Sequence, residues 1–300
     1  MRILVAVGGN ALLQRGEPME SDRQIKSAFA AGESMARIAA DNELVLVHGN
    51  GPQVGLLALQ NAAYKEISPY PLDILGAQTQ GMIGYMFCQS INAAMPEKKV
   101  VTLLSRVQVD QDDPAFADPT KFIGPIYSKE EADALAEEKG GIFKQDGEAW
   151  RRVVPSPVPR RFLEKDAIEK LISEGMFVIA SGGGGIPVIA SESEGYLGVE
   201  AVVDKDLSAQ LLAQQIGADF LLILTDTDAV YENWGTPEQS KIGNITADEI
   251  RKHDFPAGSM GPKIDAACSF VEQTGKRAAI GSLTQAEDIV KGTAGTQIMP

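Results

Sequence analysis

Four short apolar segments of this chain run directly into clusters of glycine or small polar residues. The segments are residues 3–7, 45–47, 177–181 and 221–224, and the clusters that follow them are residues 8–10, 48–51, 182–185 and 225–228. Apolar segments of this length that end at glycine are typical of buried strands in a parallel sheet. Ligands of such a sheet bind outside the carboxyl ends of its strands. The pattern therefore predicts an α/β fold with a binding site along one edge of the sheet.

Glycines at these strand ends let the backbone turn sharply and let N–H groups approach a ligand closely. A helix that begins directly after a strand, as we expect near Gly51, favours an anion at its N-terminus. We therefore predict a phosphate-rich ligand, with Gly9, Gly49 and Gly51 offering their N–H groups. The clusters match neither the phosphate loop that ends in Gly-Lys-Ser/Thr nor the spaced glycines of dinucleotide folds. For any one cluster, a tight turn without a ligand is the alternative interpretation.

Helical patterns separate these strands along the chain. Residues 21–42 carry apolar side chains at helical spacing, and residues 74–95 form a longer, mostly apolar pattern. We interpret residues 74–95 as a buried helix at a subunit contact. Residues 99–109 are predicted to form one further strand. This alternation favours βαβ units.

Residues 110–159 interrupt the alternation of strands and helices. The prolines of this segment are Pro114, Pro119, Pro125, Pro155, Pro157 and Pro159. A charged helix over residues 128–139 and a hairpin around residues 145–148 are predicted inside it. We expect residues 110–159 to form a small subdomain that projects from a single domain of residues 1–300.

The charge of the chain disfavours two classes of partner. The formal net charge is −14, from 41 acidic and 27 basic residues, so nucleic acid and anionic membrane surfaces are not expected to bind. No apolar run is long enough for a membrane span, and the chain enters its first strand without a signal-peptide pattern. We therefore expect a cytoplasmic protein. Its two cysteines and two histidines are too few for a disulfide framework or a histidine-rich metal site.

Two lysines are placed where helices are predicted to begin. Lys205 lies between Asp204 and Asp206, and Lys263 follows Pro262, a residue typical of a first helical turn. A cation at a helix N-terminus faces the positive end of the helix dipole, which is unfavourable. A phosphate at the same place would explain both lysines. The alternative is that both are solvated surface residues.

Other polar and aromatic residues at strand ends can be interpreted in more than one way. Asp226 and Asp228 follow an apolar strand, where one could hold Mg²⁺ through water or order a lysine, or both could serve the turn. Tyr231 and Trp234 could flank a purine base or be exposed loop aromatics. His48 is interpreted as a strand-end residue bonded to backbone, in preference to a catalytic base.

Together these motifs identify a resemblance that spans essentially the whole chain, in order. The matching segments are residues 8–12, 48–55, 119–121, 123–125, 151–157, 180–188, 204–206, 224–231 and 258–263. In this set and order they resemble the carbamate kinases of the amino acid kinase superfamily. The double arginine of residues 151–157 and the Gly-Ser-Met-Gly-Pro-Lys of residues 258–263 are the segments specific to carbamate kinases. One departure is Phe122, where the family pattern has proline.

The resemblance implies a fold, a reaction and an assembly. It implies an open αβα sandwich with a mainly parallel central sheet and a small protruding subdomain, and a homodimer. It implies phosphoryl transfer between ATP, bound with Mg²⁺, and carbamate, giving ADP and carbamoyl phosphate. Carbamate is already an anion and needs no base, so such a reaction asks mainly for positioning and charge neutralisation.

The resemblance also implies roles for individual residues. Lys121 would reach from the subdomain toward the transferred phosphoryl group, while Lys205 and Lys263 neutralise phosphate charge. Asp206 would order the lysines. The residues implied to hold carbamate and the transferred group are Gly8, Gly9, Asn10, Gly49, Asn50, Gly51, Gly182 and Gly183. Those implied on the nucleotide side are Asp226, Ala229, Tyr231, Met260 and Lys263. No residue is implied as a dedicated metal ligand.

Two alternatives remain open at this point. Another small-acid kinase of the same fold, acting on glutamate or a relative, would also use ATP, but it should lack the proline-rich segment and the double arginine. A nucleotide-binding regulatory protein without catalysis is the second alternative. It should have lost Lys205 or Lys263, and both lysines are present.

Overall fold

The structure, a computed structural model, describes residues 1–8, 12–13, 18–255 and 260–300. Its strands are β1 (Arg2–Val7), β2 (Glu43–His48), β3 (Val100–Thr102), β4 (Arg106–Val109), β5 (Lys121–Tyr127), β6 (Ile142–Asp146), β7 (Ala149–Val154), β8 (Pro159–Phe162), β9 (Phe177–Ile179), β10 (Ile186–Ser191), β11 (Gly195–Gly198), β12 (Phe220–Thr225), β13 (Val230–Glu232), β14 (Ser240–Ile242), β15 (Asn244–Thr246), β16 (Ala278–Ser282) and β17 (Thr296–Met299). Its α-helices are α1 (Ser21–Ala39), α2 (Gly51–Ala63), α3 (Leu72–Ala94), α4 (Lys129–Lys139), α5 (Lys165–Ser173), α6 (Lys205–Gln215), α7 (Ala247–Ile250), α8 (Gly261–Thr274) and α9 (Ala286–Lys291).

The central sheet has eight strands in the order β15-β17-β16-β12-β1-β2-β9-β3. All neighbouring pairs are parallel except β16 and β17, which run antiparallel. At the centre of the sheet, Val5 of β1 lies beside Leu46 of β2 and Leu222 of β12. The predicted α/β fold with a mainly parallel sheet is confirmed.

Helices cover both faces of this sheet, and β1 shows why. Leu4 and Ala6 pack into the core beneath α5, α6 and α8. Ile3, Val5 and Val7 pack into the opposite core beneath α1, α3 and α9. Successive side chains of a strand point to opposite faces, so a strand that is apolar throughout needs a helical layer on each side. The three layers are those of the αβα sandwich implied by the motifs.

The segment of residues 99–109 differs from the prediction of one strand. Val100–Thr102 joins the central sheet, whereas Arg106–Val109 belongs to a separate four-stranded sheet in the order β11-β10-β4-β8. The change occurs at Ser105, whose N–H donates to Oε1 of Gln80 at 2.9 Å instead of to a neighbouring strand. A side chain of α3 therefore satisfies the Ser105 N–H where the chain passes from the central sheet to the second sheet.

Residues 121–154 form a further three-stranded antiparallel sheet, β5-β7-β6, with α4 beside it. The predicted hairpin is confirmed, because Asp146 pairs with Ala149 across its turn. Helix α4 begins with a capping box, in which Ser128 and Glu131 bond each other's backbone N–H groups. Phe122, the departure from the family pattern, lies in β5 with the Arg151 guanidinium 5.8 Å from its ring centre.

The three-stranded unit contacts the main domain through two glycines. A Cβ atom added to Gly55 of α2 would lie 1.9 Å from the Cα of Gly124 in β5, so only glycine permits this approach. Gly124 itself has φ of +72°, in the left-handed region that favours glycine.

None of the helices in the described part of the chain is long and apolar enough to cross a membrane.

Candidate active site

The four strand-end clusters meet at one edge of the central sheet. Strands β12, β1, β2 and β9 are neighbours and parallel, so their carboxyl ends lie side by side. A cleft of about 690 Å³ lies between this edge and the three-stranded unit. Predicted site residues that line the cleft are Gly49, Asn50, Gly51, Lys121, Gly183 and Lys205. Gly9 and Asn10 fall outside the described residues.

Two glycines after β9 are required by close packing against β2 and α2. A Cβ atom on Gly182 would lie 2.5 Å from the His48 ring, and one on Gly183 would lie 2.2 Å from Nδ2 of Asn50. Gly183 also has φ of +64°. The Asn50 side chain is held in place by Thr79 of α3, to whose Oγ1 its Nδ2 donates at 2.9 Å. The glycine loop after β9 thus lets the Asn50 side chain pack directly against the backbone of Gly183.

The backbone N–H groups of Gly8 and Gly49 are both used within the central sheet. The N–H of Gly8 donates to the carbonyl of Leu224 at 3.2 Å, and that of Gly49 donates to the carbonyl of Val7 at 3.0 Å. Both groups extend the sheet, so the prediction that Gly49 offers its N–H to a ligand is wrong. Gly51 is the first residue of α2, and a first-turn N–H has no acceptor within its helix.

Lys205 and Lys263 converge on one buried carboxylate. Nζ of Lys205 donates to Oδ1 of Asp206, and Nζ of Lys263 donates to Oδ2 of the same group at 3.1 Å. Asp206 is 3% exposed. This arrangement explains how two cations occupy the first turns of α6 and α8, because the shared carboxylate offsets the unfavourable helix dipoles. The predicted ordering of both lysines by Asp206 matches these contacts.

Burial and ion pairing act in opposite directions on this cluster. Burial would raise the pKa of Asp206, but the two lysines outweigh it and hold that pKa below its usual range. Burial lowers the pKa of Lys205 despite the neighbouring carboxylate. Burial would also lower the pKa of Lys263, yet Asp206 outweighs it and the pKa is raised. The cationic form of Lys263 is therefore stabilised by Asp206 in a site with little water.

Lys121 comes to the same cluster from the three-stranded unit. It is the first residue of β5, and its Nζ donates to Oδ2 of Asp204. Asp204 precedes α6 and caps it, because Oδ1 accepts the N–H groups of Asp206 and Leu207 at 2.8 and 3.3 Å. Burial would raise the pKa of Asp204, but the lysine charge and hydrogen bond hold it well below its usual range. Three lysine ammonium groups thus gather around Asp204 and Asp206, where they can meet an anionic ligand.

The residues predicted for the nucleotide lie along the same edge, beyond the cleft. Asp226 follows β12, and its charge contributes to the raised pKa of Lys263, which places the two near each other. Ala229 is buried, and Tyr231 lies in β13 with its ring 5.3 Å from Trp234. Met260 directly precedes α8.

Asp228 and His48 are explained by local contacts. Asp228 accepts from Lys241 at 2.9 Å and from the Tyr231 hydroxyl at 2.7 Å, so its carboxylate orders a lysine. His48 is buried, with Nδ1 3.1 Å from the carbonyl oxygen of Gly49 and its ring stacked on Phe87. Burial lowers the pKa of His48 to about 4, so the ring is neutral at pH 7. The interpretation of His48 as a strand-end residue bonded to backbone is confirmed.

Several residues of this site were not singled out from the sequence. In the sequence, Asp204 is only part of a motif, and Thr79 and Gln80 fall within the predicted apolar helix of residues 74–95. Gln80 is buried and donates to the carbonyl of Gly182 at 2.9 Å. The available signal was chemical, since two adjacent polar residues inside a mostly apolar helix need buried partners.

Comparisons with known proteins identify the family of this chain. The model of the amino acid kinase family matches residues 1–282. The chain belongs to the amino acid kinase family. Within that family it is 53% identical over 299 residues to the carbamate kinase of Haemophilus influenzae, covering 99% of this chain and 96% of that one. The resemblance to carbamate kinases that the motifs indicated is confirmed.

Solved members of the family have the same fold. The carbamate kinase of Giardia lamblia bound to citric acid matches with a TM-score of 0.93 at 40% identity, covering 99% of this chain and 98% of that chain. The Giardia lamblia enzyme bound to AMP-PNP matches with a TM-score of 0.90 at 40% identity, with the same coverage. The likeness therefore extends over the central sheet and the three-stranded unit together.

Proposed function

We propose that this protein is a carbamate kinase, a phosphotransferase that moves a phosphoryl group reversibly between ATP and carbamate. The observation that carries the proposal is the convergence of Lys121, Lys205 and Lys263 on Asp204 and Asp206 beside glycine loops. The identity to carbamate kinases over the full chain supports the same acceptor.

The chemistry of carbamate suits a site without a general base. The acceptor oxygen is already ionised, so the enzyme has only to bring it in line with the phosphoryl group and to neutralise charge. His48 is neutral, buried and bonded to backbone, and it takes no part in proton transfer. Lysine ammonium groups held in place before the substrate arrives stabilise charge on the transferred group without reorganisation.

The cleft accommodates the small substrate and the transferred group. Gly8, Gly49, Asn50, Gly51, Gly182 and Gly183 surround the carbamate and phosphoryl positions, and Gly9 and Asn10 are assigned to the same substrate by the family resemblance alone. Gly8 lies close to the lysine cluster, because a Cβ atom added to it would be 4.0 Å from Cε of Lys205. The glycines act mainly by leaving space for close approach, and Gly51 supplies an N–H at the start of α2.

The nucleotide lies on the side of β12 and α8. Asp226, Ala229, Tyr231 and Met260 contact it, and Lys263 connects it to the lysine cluster. The Giardia lamblia relative has been solved with AMP-PNP, which supports ATP or ADP as the nucleotide.

Mg²⁺ is the metal that such a reaction uses, and the donor set fits it. No group of three or more His, Cys, Asp or Glu side chains suited to a metal ion occurs among the described residues. Mg²⁺ normally binds through substrate phosphates and water with one or two carboxylates, and needs no protein cage. Asp226 is the carboxylate on the nucleotide side that would hold it through water. When bound, Mg²⁺ supplies charge neutralisation on the nucleotide phosphates.

Residues 110–159 act as a lid in this proposal. Lys121 enters the site from β5, and the unit touches α2 where Gly55 meets Gly124. Closure over bound substrates would exclude water and strengthen the electrostatic effect of Lys121.

The active assembly is a cytoplasmic homodimer. Helix α3 carries exposed apolar side chains, including Ile74 at 44% and Tyr85 at 61% exposure, which suit a subunit contact. Sedimentation of the wild type and of Tyr85→Glu tests the assembly. A dimer that becomes monomeric in the variant supports α3 as the contact, and a monomeric wild type contradicts the dimer.

A coupled assay with ADP and carbamoyl phosphate tests the activity, with Lys205→Met as the inactive control. In the opposite direction, acetate and glutamate compete with carbamate as acceptors. ATP formation from carbamoyl phosphate, with no transfer to acetate or glutamate, is the expected result. Preferred transfer to another acid would make the protein a different acid kinase. ADP binding without any turnover would make it a nucleotide-binding regulator.

A further inference from the structure

A second cavity lies on the opposite side of β5 from the catalytic cleft. Its volume is about 510 Å³, within the range of small-molecule sites in proteins. Its apolar walls come from α2, from α3 and the loop before it, and from α4, and include Leu59, Ile67, Leu72 and Leu135. Nothing in the proposed reaction uses this space.

Two polar side chains of the three-stranded unit line the cavity without a hydrogen bond. Among the described residues, neither the Tyr127 hydroxyl nor the Arg152 guanidinium has a partner within hydrogen-bond distance. The nearest carboxylate to Arg152 is Glu200, whose Oε1 lies 3.8 Å from Nη2, too far for a hydrogen bond. The other oxygen of Glu200 already accepts the N–H of Leu72 at 2.7 Å. Donors without acceptors beside an apolar cavity are complementary to a carboxylate ligand.

The double arginine connects this cavity to the catalytic cleft. Arg151 and Arg152 are consecutive in β7, so their side chains point to opposite faces of the small sheet. Arg151 lines the catalytic cleft and donates to the carbonyl of Gly124 at 3.0 Å, whereas Arg152 lines the second cavity. Ile123 and Gly124 of β5 form a wall of both spaces.

We infer that the second cavity is a binding site for a small organic acid with an apolar body, which acts on the catalytic cleft through β5. The carboxylate binds Arg152 and Tyr127, and the apolar body fills the space between α2 and α4. The Gly55–Gly124 contact lies at the edge of this cavity, where an occupant changes how β5 rests on α2. Because β5 begins with Lys121, the occupant alters the position of a lysine of the catalytic cleft.

Calorimetric titration of the free full-length protein tests the site. The probes are octanoate and 3-phenylpropanoate, with neutral 3-phenylpropanamide as the matched uncharged control. We expect saturable binding of at least one acid, with a Kd below about 1 mM. Arg152→Met should weaken the acid at least tenfold and change the amide less than twofold. Ala58→Phe, which fills the cavity from α2, should remove binding of both.

Control measurements separate this site from the catalytic cleft and from misfolding. Each variant is first checked for a wild-type thermal transition, and Lys205→Met should bind the acids as the wild type does. Hydrogen exchange of residues 121–127 should change when an acid binds, a readout that does not depend on turnover. Absence of binding by both acids, equal binding of acid and amide, or loss of acid binding in Lys205→Met would each overturn the inference. These outcomes are independent of whether carbamate is the substrate.

Discussion

Lys121 of β5 is ion-paired with Asp204, the residue that caps α6. One oxygen of this carboxylate accepts from the lysine, and the other accepts the N–H groups that begin the helix. The contact joins the three-stranded unit to the main domain across 83 positions of sequence. The same aspartate therefore holds a lysine that reaches the site and orients the helix that carries Lys205 and Asp206.

Asp204→Asn should lower kcat by about tenfold, equivalent to about 1.4 kcal/mol, with little change in the KM for ADP. Asparagine keeps an oxygen that caps α6 but removes the charge that positions Lys121. Lys121→Met should cost more, about a hundredfold. The double variant should lose no more than Lys121→Met, because Asp204 acts through Lys121. Additive losses in the double variant would show that Asp204 acts only on the helix.

Lys205→Met and Lys263→Met should each lower kcat by at least about a hundredfold, which corresponds to about 3 kcal/mol. The reason is loss of a cation that stabilises phosphoryl charge in a buried site. Affinity for ADP should fall much less, because other phosphate contacts remain. The double variant should lose less than the sum, since both lysines share Asp206. Steady-state kinetics with ADP and carbamoyl phosphate measure this, and an unchanged kcat with raised KM would reassign that lysine to binding.

Gly183→Ala should reduce kcat/KM for carbamoyl phosphate at least tenfold, because its Cβ would lie 2.2 Å from Nδ2 of Asn50. Gly217→Ala is a matched control. Gly217 has φ of +65°, close to the +64° of Gly183, but open space around its Cβ position. Both variants carry the left-handed strain, about 1–2 kcal/mol in unfolding free energy. Equal activity of the two variants would contradict a role for the Gly183–Asn50 contact.

His48 should make the stability of the protein depend on pH below neutrality. Its pKa in the folded state is about 4, below the usual 6.5, so the unfolded chain binds the proton first. The stabilising contribution is complete above pH 6.5 and is lost as the pH falls to about 4, for a total of about 3 kcal/mol. About 2 kcal/mol of this loss lies between pH 7 and 5. Urea unfolding at both pH values measures it, and His48→Gln should flatten the difference; an unchanged difference would refute the assignment.

Closure of residues 110–159 over the site should appear in hydrogen exchange. Binding of the nonhydrolysable AMP-PNP together with carbamate should protect the amides of β5 and β7 more than either compound alone. The physical reason is that Lys121 exchanges its contact with Asp204 for bound phosphate only when the site is filled. The amides of β1, buried at the centre of the sheet, are the internal reference. Equal exchange of β5 and β7 in the free and bound protein would argue against a lid.

The sequence by itself determined the class of fold and the edge at which the site lies. Short apolar strands that end in glycine are local signals, and parallel pairing brings their carboxyl ends together whatever the details of packing. The positions of Lys205 and Lys263 at helix starts were local signals of the same kind.

Only the tertiary structure decided how the charged groups are paired and which backbone groups are free. Lys263 meets Asp206 from 57 positions away, and Asn50 meets Thr79 from 29 positions away. The sequence predicts that the N–H of Gly49 binds a ligand, yet this group donates to the carbonyl of Val7 in the neighbouring strand β1. Such pairings depend on how helices and strands pack against each other. A local sequence pattern indicates which polar groups need hydrogen-bond partners when they are buried. Tertiary packing determines which residues supply those partners.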